Sequence, residues 1–524
     1  PYQRIIAEAN PLGIMSSYND WDGVPISGSY YFLTTLLRKQ FGFKGYVVSD
    51  SDAVEFLNTK HHIAKDSADA VRIALEAGVN VRTNFQNPET FILPARKLVQ
   101  AGVLSNTIID QRVADVLRVK FLLKLFDTPY VKDTLQADTI VYNEDAKKFS
   151  QQISKEALVL LKNTNHILPL SISSIKSILV TGPLADDTLT SMSRYGPSNI
   201  KVVSVLQGLK NNLPSSVQLL YTKGVEAADS NWPESELYPS AINTTEEQAG
   251  IDKGIALAKQ ADVIIAVMGE TENMFGESRS RTSLELTGKQ QLYLQNLYAT
   301  GKPIILVLIN GQPLTINWPA KYLPAIMEAW CPGMDGGNAI AEALLGKYNP
   351  GGKLPVTFPK SVGQIELTFP FKPGAHAGQP GDGPNGFGKT NVYGALYPFG
   401  FGLSYTDFNF KNLVTGAEVY KKDDTITLSV EVSNIGQYDG DEVVQLYIKD
   451  KVSSVTVYET QLRGFERVFI KKGETKKVYF KISPNDLKLY DQKMNWVVEP
   501  GVFEILIGNS SENIKLSKEI TIVD

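Results

Sequence analysis

Two groups of carboxylates in the 524-residue chain have neighbours suited to chemistry. The first is Asp50, which closes the apolar run Tyr46-Val47-Val48-Ser49. Such a run reads as a buried parallel strand with the acid at its carboxyl end, the end that carries reacting groups in α/β barrels. Sterically fixed and partly desolvated there, Asp50 suits a nucleophile. Asp is also a good helix N-cap, so the same residue can serve the helix that follows, although Ser51-Asp52 offers an alternative cap. The second group is Glu270, Glu272 and Glu277, in a Gly-containing loop between the apolar run Val263–Met268 and a helical stretch starting at Lys289. Crowding raises the pKa of one member of such a set, which general acid catalysis requires. An ordinary acidic surface loop has the same composition, and Arg279 and Arg281 stand ready to pair with the acids and hold them ionised.

The elements around Asp50 follow a strand-and-helix rhythm. Short apolar strands are expected at residues 13–18, 46–50 and, more weakly, 80–83. Helices are expected at 30–40, with Leu33, Leu36 and Leu37 at helical spacing, and at 64–77, 88–101 and 107–126. Strands recurring every ~33 residues with helices between them indicate parallel βα units. Three units cannot close an eight-stranded barrel. The inference is the C-terminal part of a (β/α)8 TIM-like barrel whose first segment is missing from this chain.

From about residue 150 apolar runs at 178–181, 217–221, 263–268, 304–309 and 325–330 alternate with helical stretches such as 251–260 and 289–297, an α/β layer arrangement. Residues 370–395 hold seven glycines and four prolines, a long loop that is either functional or disordered. From about Phe408 the period becomes two, and runs at 425–432, 442–449, 475–482 and 502–507 read as a β-sandwich.

Composition narrows the function. Lys+Arg is 52 against 56 Asp+Glu, for a net charge of −4, so there is no basic footprint for nucleic acid and no polybasic membrane patch. No run approaches the ~18 apolar residues of a membrane span. One cysteine and four histidines leave no basis for a disulfide framework or a His/Cys metal site, and no cofactor is expected. Cys331 reads as a small buried hydrophobe, and His61-His62 as solvent or packing residues. Strand–glycine turns such as Val180-Thr181-Gly182-Pro183 raise a nucleotide-binding reading, but neither GxGxxG nor GxxxxGK[ST] accompanies them.

Lys44-Gly45-Tyr46-Val47-Val48-Ser49-Asp50, with Met15-Ser16-Ser17-Tyr18-Asn19 and Asp22-Gly23-Val24-Pro25 upstream, resembles the nucleophile segment and the preceding strand and loop of glycoside hydrolase family 3. Further signatures follow in order: the run from Lys155 to Asn163 with Leu168-Pro169-Leu170, then Trp330-Cys331-Pro332-Gly333, Asn349-Pro350-Gly351-Gly352 and Tyr397-Pro398-Phe399-Gly400. Gly440-Asp441-Glu442-Val443 and Leu462-Arg463-Gly464-Phe465 are similar to the fibronectin type III-like domain that ends many members.

The resemblance implies a retaining, exo-acting hydrolase that releases terminal non-reducing β-D-glucose from β-glucosides or cello-oligosaccharides by double displacement. A β-xylosidase of the same family is the alternative, and a noncatalytic carbohydrate-binding protein the rival from another class. It implies a division into 1–128 (barrel), 129–150 (linker), 151–370 (α/β sandwich domain with the acid loop), 371–404 (Gly/Pro-rich linker) and 405–524 (fibronectin type III-like domain). Asp50 is the implied nucleophile. Glu277 is the implied general acid/base, because Glu277-Ser278-Arg279-Ser280-Arg281 resembles the family's Glu-Gly-x-Asp-Arg form, with Ser278 and Ser280 as departures. Retention implies carboxyls ~5–5.5 Å apart, against ~6.5–9.5 Å for inversion. Tyr18 matches a tyrosine beside the nucleophile, and Met15 lines the same pocket. Many members carry Trp after the nucleophile. Ser51 stands there instead, as in the β-xylosidase-like branch, which leaves the aglycone clamp to Trp21 or Phe275.

The family's sugar-hydroxyl ligands lie in early barrel strands absent from this sequence, so these residues alone are expected to give neither a stable barrel nor activity. A small carbohydrate is the expected partner, a homodimer is open, and the family places the protein in the periplasm or outside the cell.

Overall fold

The computed structural model describes residues 2–131, 133–141, 143–193, 195–196, 200–240, 242–364, 368–373 and 394–524. Most of the expected Gly/Pro-rich linker 371–404 lies outside them. The chain divides into two compact units, Pro1–Ile140 and Val141–Asp524.

In the first unit α1 (Tyr2–Ala9) precedes β1 (Gly13–Ser16), and a two-rung hairpin follows from β2 (Asp20–Trp21) and β3 (Val24–Pro25). β4 (Tyr46–Ser49) runs parallel to β1, with Ser16 opposite Ser49. Between them Tyr31–Gln40 is a π-helix that buries Leu33, Thr34 and Leu37, and the Phe41 N–H bonds the Leu36 carbonyl five residues back. α2 (Ala53–Thr59), α3 (Ser67–Ala77), α4 (Glu89–Gln100) and α5 (Asn106–Leu122) complete the unit. α3 starts where Asp66 accepts the Asp69 N–H, so the helix expected from Ala64 begins three residues later. The expected strand at 80–83 is reduced to one parallel rung, Val81 against Val48. Arg82 and Asn84 turn instead to Glu55, at 3.0 and 2.7 Å. A mostly apolar groove of about 910 Å³ remains between α4 and α5, walled by Phe91, Ile92, Val113 and Leu117.

In the second unit α6 (Gln136–Val141), which starts at the end of the first, leads through α7 (Glu144–Glu156) to β5 (Val159–Asn163). β6 (Ser177–Thr181), α8 (Val205–Asn212), β7 (Gln218–Thr222), α9 (Thr245–Gln260), β8 (Val263–Gly269), α10 (Gln290–Tyr298), β9 (Ile304–Ile309), α11 (Asn317–Tyr322), β10 (Ala325–Glu328) and α12 (Gly336–Leu344) follow. The sheet order is β5-β10-β9-β8-β6-β7, parallel except for β5, which runs against β10. Every residue of β8 and β9 is buried, because helices cover both faces of a parallel sheet and the strands need apolar side chains on both sides. Strand order reverses between β6 and β8, where a doubly wound sheet opens a crevice at its carboxyl edge. At the far end of the domain Leu403 pairs with Leu160 of β5.

The last part is a β-sandwich. β11 (Phe408–Thr415), β13 (Ile426–Asn434) and β16 (Thr475–Ile482) form one sheet. The other holds β12 (Val419–Lys421), β14 (Gly440–Asp450), β15 (Gln461–Ile470), β19 (Gly501–Gly508) and β20 (Ile514–Val523). A short hairpin pairs β17 (Leu489–Tyr490) with β18 (Trp496–Val497). Val430, Val432, Leu446, Ile505 and Ile507 fill the space between the sheets. Arg467 ties the sandwich to the α/β domain through Tyr348 at 2.8 Å and Glu156 at 3.5 Å.

Candidate active site

Asp50 leaves β4 with its N–H on the Ser16 carbonyl (3.0 Å), which carries the parallel ladder one residue past the strand. On the other side Ser49 donates its N–H to the Val81 carbonyl and takes the Thr83 N–H on its hydroxyl. The backbone under Asp50 is therefore pinned from both neighbours. The carboxylate accepts the Ser51 N–H at 2.7 Å rather than capping α2. Asp52 does not supply the expected alternative cap: it stands at the N-cap with φ +61° and makes no side-chain cap bond.

Tyr18 packs its ring 5.4 Å from Phe56, and its carbonyl meets His61 Nε2 at 3.0 Å. A carbonyl only accepts, so Nε2 carries the proton. His61 thus has a defined partner that adjacency to His62 did not reveal. Met15 and Trp21 are 58% and 65% exposed, and the Trp21 ring stands edge-on to Phe32 at 6.1 Å.

In the second unit the acid loop leaves the sheet at Gly269, whose φ is +137° and where a Cβ would fall 2.0 Å from the Ile309 carbonyl oxygen, so only glycine fits. The three carboxylates then part company. Glu270 and Arg281 are both 1% exposed and ion-paired at 2.5 Å. Glu270 also accepts from Gln312 Nε2 at 2.6 Å and the Gly311 N–H at 3.3 Å. Arg281 Nε pairs with Glu236 at 2.6 Å, and Nη2 reaches the Glu285 carbonyl. Glu236 further accepts from Trp232 Nε1, the Thr282 hydroxyl and the N–H groups of Thr282 and Ser283. Burial pushes the Glu270 carboxyl up, and Gln312 and Arg281 offset only part of it. Burial also raises Glu236, but its bonds from Thr282, Arg281 and Trp232 outweigh that and leave it below the usual carboxylate range. Glu272 accepts from Asn273 at 3.2 Å and the Thr190 hydroxyl at 3.4 Å. Glu277 is exposed at the tip and accepts a hydrogen bond from the Tyr195 hydroxyl. Tyr195 belongs to the segment after β6 and Glu277 to the loop after β8, the two strands flanking the order reversal.

Met274 and Phe275 are buried beneath the tip, Phe275 at 7% exposure. A Cβ on Gly311 would lie 2.1 Å from the Phe275 ring. This ring plugs the loop into the domain and does not offer the exposed face expected of an aglycone clamp. Glu236, which shares Arg281, has no signal in local spacing: 45 residues separate the two.

Next to this set, at the end of β10, Glu328 is fully buried. Its Oε1 takes the Trp330 N–H at 2.8 Å, while Oε2 and the neighbouring Asn310 Oδ1 have no hydrogen-bond partner. Burial, with some repulsion from Glu270, drives its pKa well above the ordinary value. Burial likewise pushes the Cys331 thiol up to about 11, helped by the nearby Glu328 and Glu270.

The sequence model of the glycosyl hydrolase family 3 N terminal domain matches residues 1–119, that of the family 3 C-terminal domain residues 158–405, and that of the fibronectin type III-like domain residues 442–511. A periplasmic beta-glucosidase of Salmonella typhimurium is 37% identical over 98% of this chain and 68% of its own length. A beta-xylosidase of Formosa agariphila is 35% identical over 98% of this chain and 69% of its own. Among solved structures, a β-glucosidase from Erythrobacter marinus superposes with a TM-score of 0.88 at 32% identity, covering 100% of this chain and 69% of that one. A β-glucosidase from Listeria innocua in complex with glucose gives 0.87 at 26% identity, covering 100% and 69%.

Proposed function

Because the chain belongs to glycosyl hydrolase family 3, we propose that it releases terminal β-D-glucose from β-glucosides by double displacement, with Asp50 as nucleophile and Glu277 as general acid/base. In the first step an Asp50 oxygen attacks the anomeric carbon while Glu277 gives its proton to the departing glycosidic oxygen. In the second Glu277 takes a proton from water, whose oxygen displaces Asp50 from the same carbon. The observation that carries the reading is the contrast within the acid loop. Glu270 is enclosed and shared with Arg281, whereas Glu277 stands at the exposed tip, where a substrate oxygen can reach it. On the first unit, a carboxylate that caps no helix terminates a strand pinned on both sides, as a nucleophile must be held.

The test uses the full-length enzyme and aryl β-glucosides. Asp50→Ala should lower turnover by more than about 10³-fold, with partial recovery on adding azide. Glu277→Ala should lower kcat/KM by about 10²–10⁴-fold for phenyl leaving groups and far less for 2,4-dinitrophenyl, which needs no proton. Near-normal turnover by Asp50→Ala removes the nucleophile from the reading.

A β-xylosidase is the second reading, supported by Ser51 after the nucleophile and by the similarity to the Formosa agariphila enzyme. The ratio of p-nitrophenyl glucoside to xyloside hydrolysis decides between the two, and inactivity on both favours a binding protein. Among the described residues no helix is long and apolar enough to cross a membrane. The similarity to a periplasmic enzyme supports a periplasmic or secreted location.

A further inference from the structure

The acid loop is a span of chain tied at its base. Its first residue, Glu270, and its last, Arg281, meet inside the domain, and all three guanidinium nitrogens are engaged: Nη1 by Glu270, Nε by Glu236 and Nη2 by the Glu285 carbonyl. Each carboxylate is braced in turn, Glu270 by Gln312 and the Gly311 N–H, Glu236 by Trp232, Thr282 and Ser283. Arg281 therefore has no loose partner along which it can slide.

Stability alone does not account for such a cluster. Burying ions carries a large desolvation penalty, and apolar side chains of equal volume often serve as well or better. What a planar, multiply bonded guanidinium adds is one defined geometry. Only three residues lie between Glu277 and Arg281, and the intervening turn is short, with the Arg279 N–H on the Gly276 carbonyl at 3.2 Å. A shift at Arg281 is therefore passed to the tip.

We propose that Arg281, locked between Glu270 and Glu236, is the positioning residue for Glu277, fixing the loop so that the acid meets the leaving oxygen. The proposal rests on Glu277 being the general acid/base. A misplacement of about 1 Å at a reacting group can cost on the order of 10²-fold in rate.

The experiment measures kcat/KM across aryl β-glucosides of graded leaving-group acidity for Glu270→Gln and Arg281→Lys, beside the parent and Glu277→Ala. Lysine keeps the charge but cannot bridge both carboxylates, and glutamine keeps the shape of Glu270 without its charge. Both variants should lose about 10–100-fold on phenyl glucoside and less than about 3-fold on the 2,4-dinitrophenyl substrate. Their leaving-group slope would then steepen toward that of Glu277→Ala. A merely structural role would lower all substrates alike, because fewer molecules would be folded. Equal losses across the series, or none, with a steep series for Glu277→Ala, overturn the positioning role alone. A flat series for Glu277→Ala overturns the assignment beneath it. Should Arg281→Lys fail to fold, the near-isosteric Glu270→Gln decides.

Discussion

Glu328 is a fully buried carboxyl group whose burial outweighs its few hydrogen bonds and raises its pKa well above the ordinary value. Its folded-state pKa lies above the unfolded value, and the folded state binds the proton more tightly. Below the unfolded pKa, near 4.5, both states are protonated and there is no penalty. As pH rises toward the folded pKa, only the unfolded chain gains by releasing the proton, and stability falls. Glu328→Gln, which cannot ionise, should therefore lose less unfolding free energy between pH 5 and pH 8 than the parent, as read by urea titration at each pH. Equal pH slopes would mean that the group is paired in solution. Glu236 has the opposite sign: hydrogen bonds hold it ionised, and its contribution is lost as pH falls through its lowered pKa. At this scale the sequence was informative where chemistry is local. Asp50 could be placed at a strand end by position, whereas the acid loop's own spacing left Glu270, Glu272 and Glu277 open and only the family resemblance pointed to Glu277. The sharing of Arg281 by Glu236 could not, because only tertiary closure brings them together. For the same reason the His61 bond to the Tyr18 carbonyl, 43 residues away, left no mark on spacing.

Among the elements, the acid loop has two anchors of different kind, one ionic at Arg281 and one apolar at Phe275. Gly311→Ala isolates the second, since a Cβ would collide with the rigid Phe275 ring. The substitution should destabilise the protein by about 1–3 kcal/mol, visible as a lower thermal midpoint, and Phe275→Leu in the same chain should restore part of it. If Gly311→Ala melts like the parent, the ring does not seat as described. Element legibility follows burial. β8 and β9 are apolar from end to end because both faces are covered, and they were expected almost to the residue. β15 escaped notice because Gln461–Ile470 is mostly half-buried, with only Ile470 fully buried, and does not alternate cleanly. The first half of α7, charged along Glu144–Glu156 with only Ser154 buried, read as linker. Residues 80–83 have strand-like composition but spend Arg82 on Glu55 instead of lengthening the ladder.

Across the molecule the two units differ in how much apolar surface they enclose. The core of the second is built on strands buried throughout, whereas in the first Phe121, Leu122, Phe126 and Tyr130 are exposed and the α4–α5 groove is open. Local opening is cheapest where buried contacts are few. For the 524-residue chain, amide hydrogen exchange should be faster across α4 and α5 than in β8 and β9, as followed by mass spectrometry. Equal protection in both would contradict the contrast in packing. The placement of β5 has a consequence for how the protein is made. Asn163 pairs with Ala325, 162 residues later, and Leu160 with Leu403 later still. As the polypeptide emerges from the ribosome, a sticky apolar ribbon from Val159 to Leu161 must stay shielded until β10 and Leu403 have been made. Chaperones that grip short apolar peptides would find their longest-lived target there.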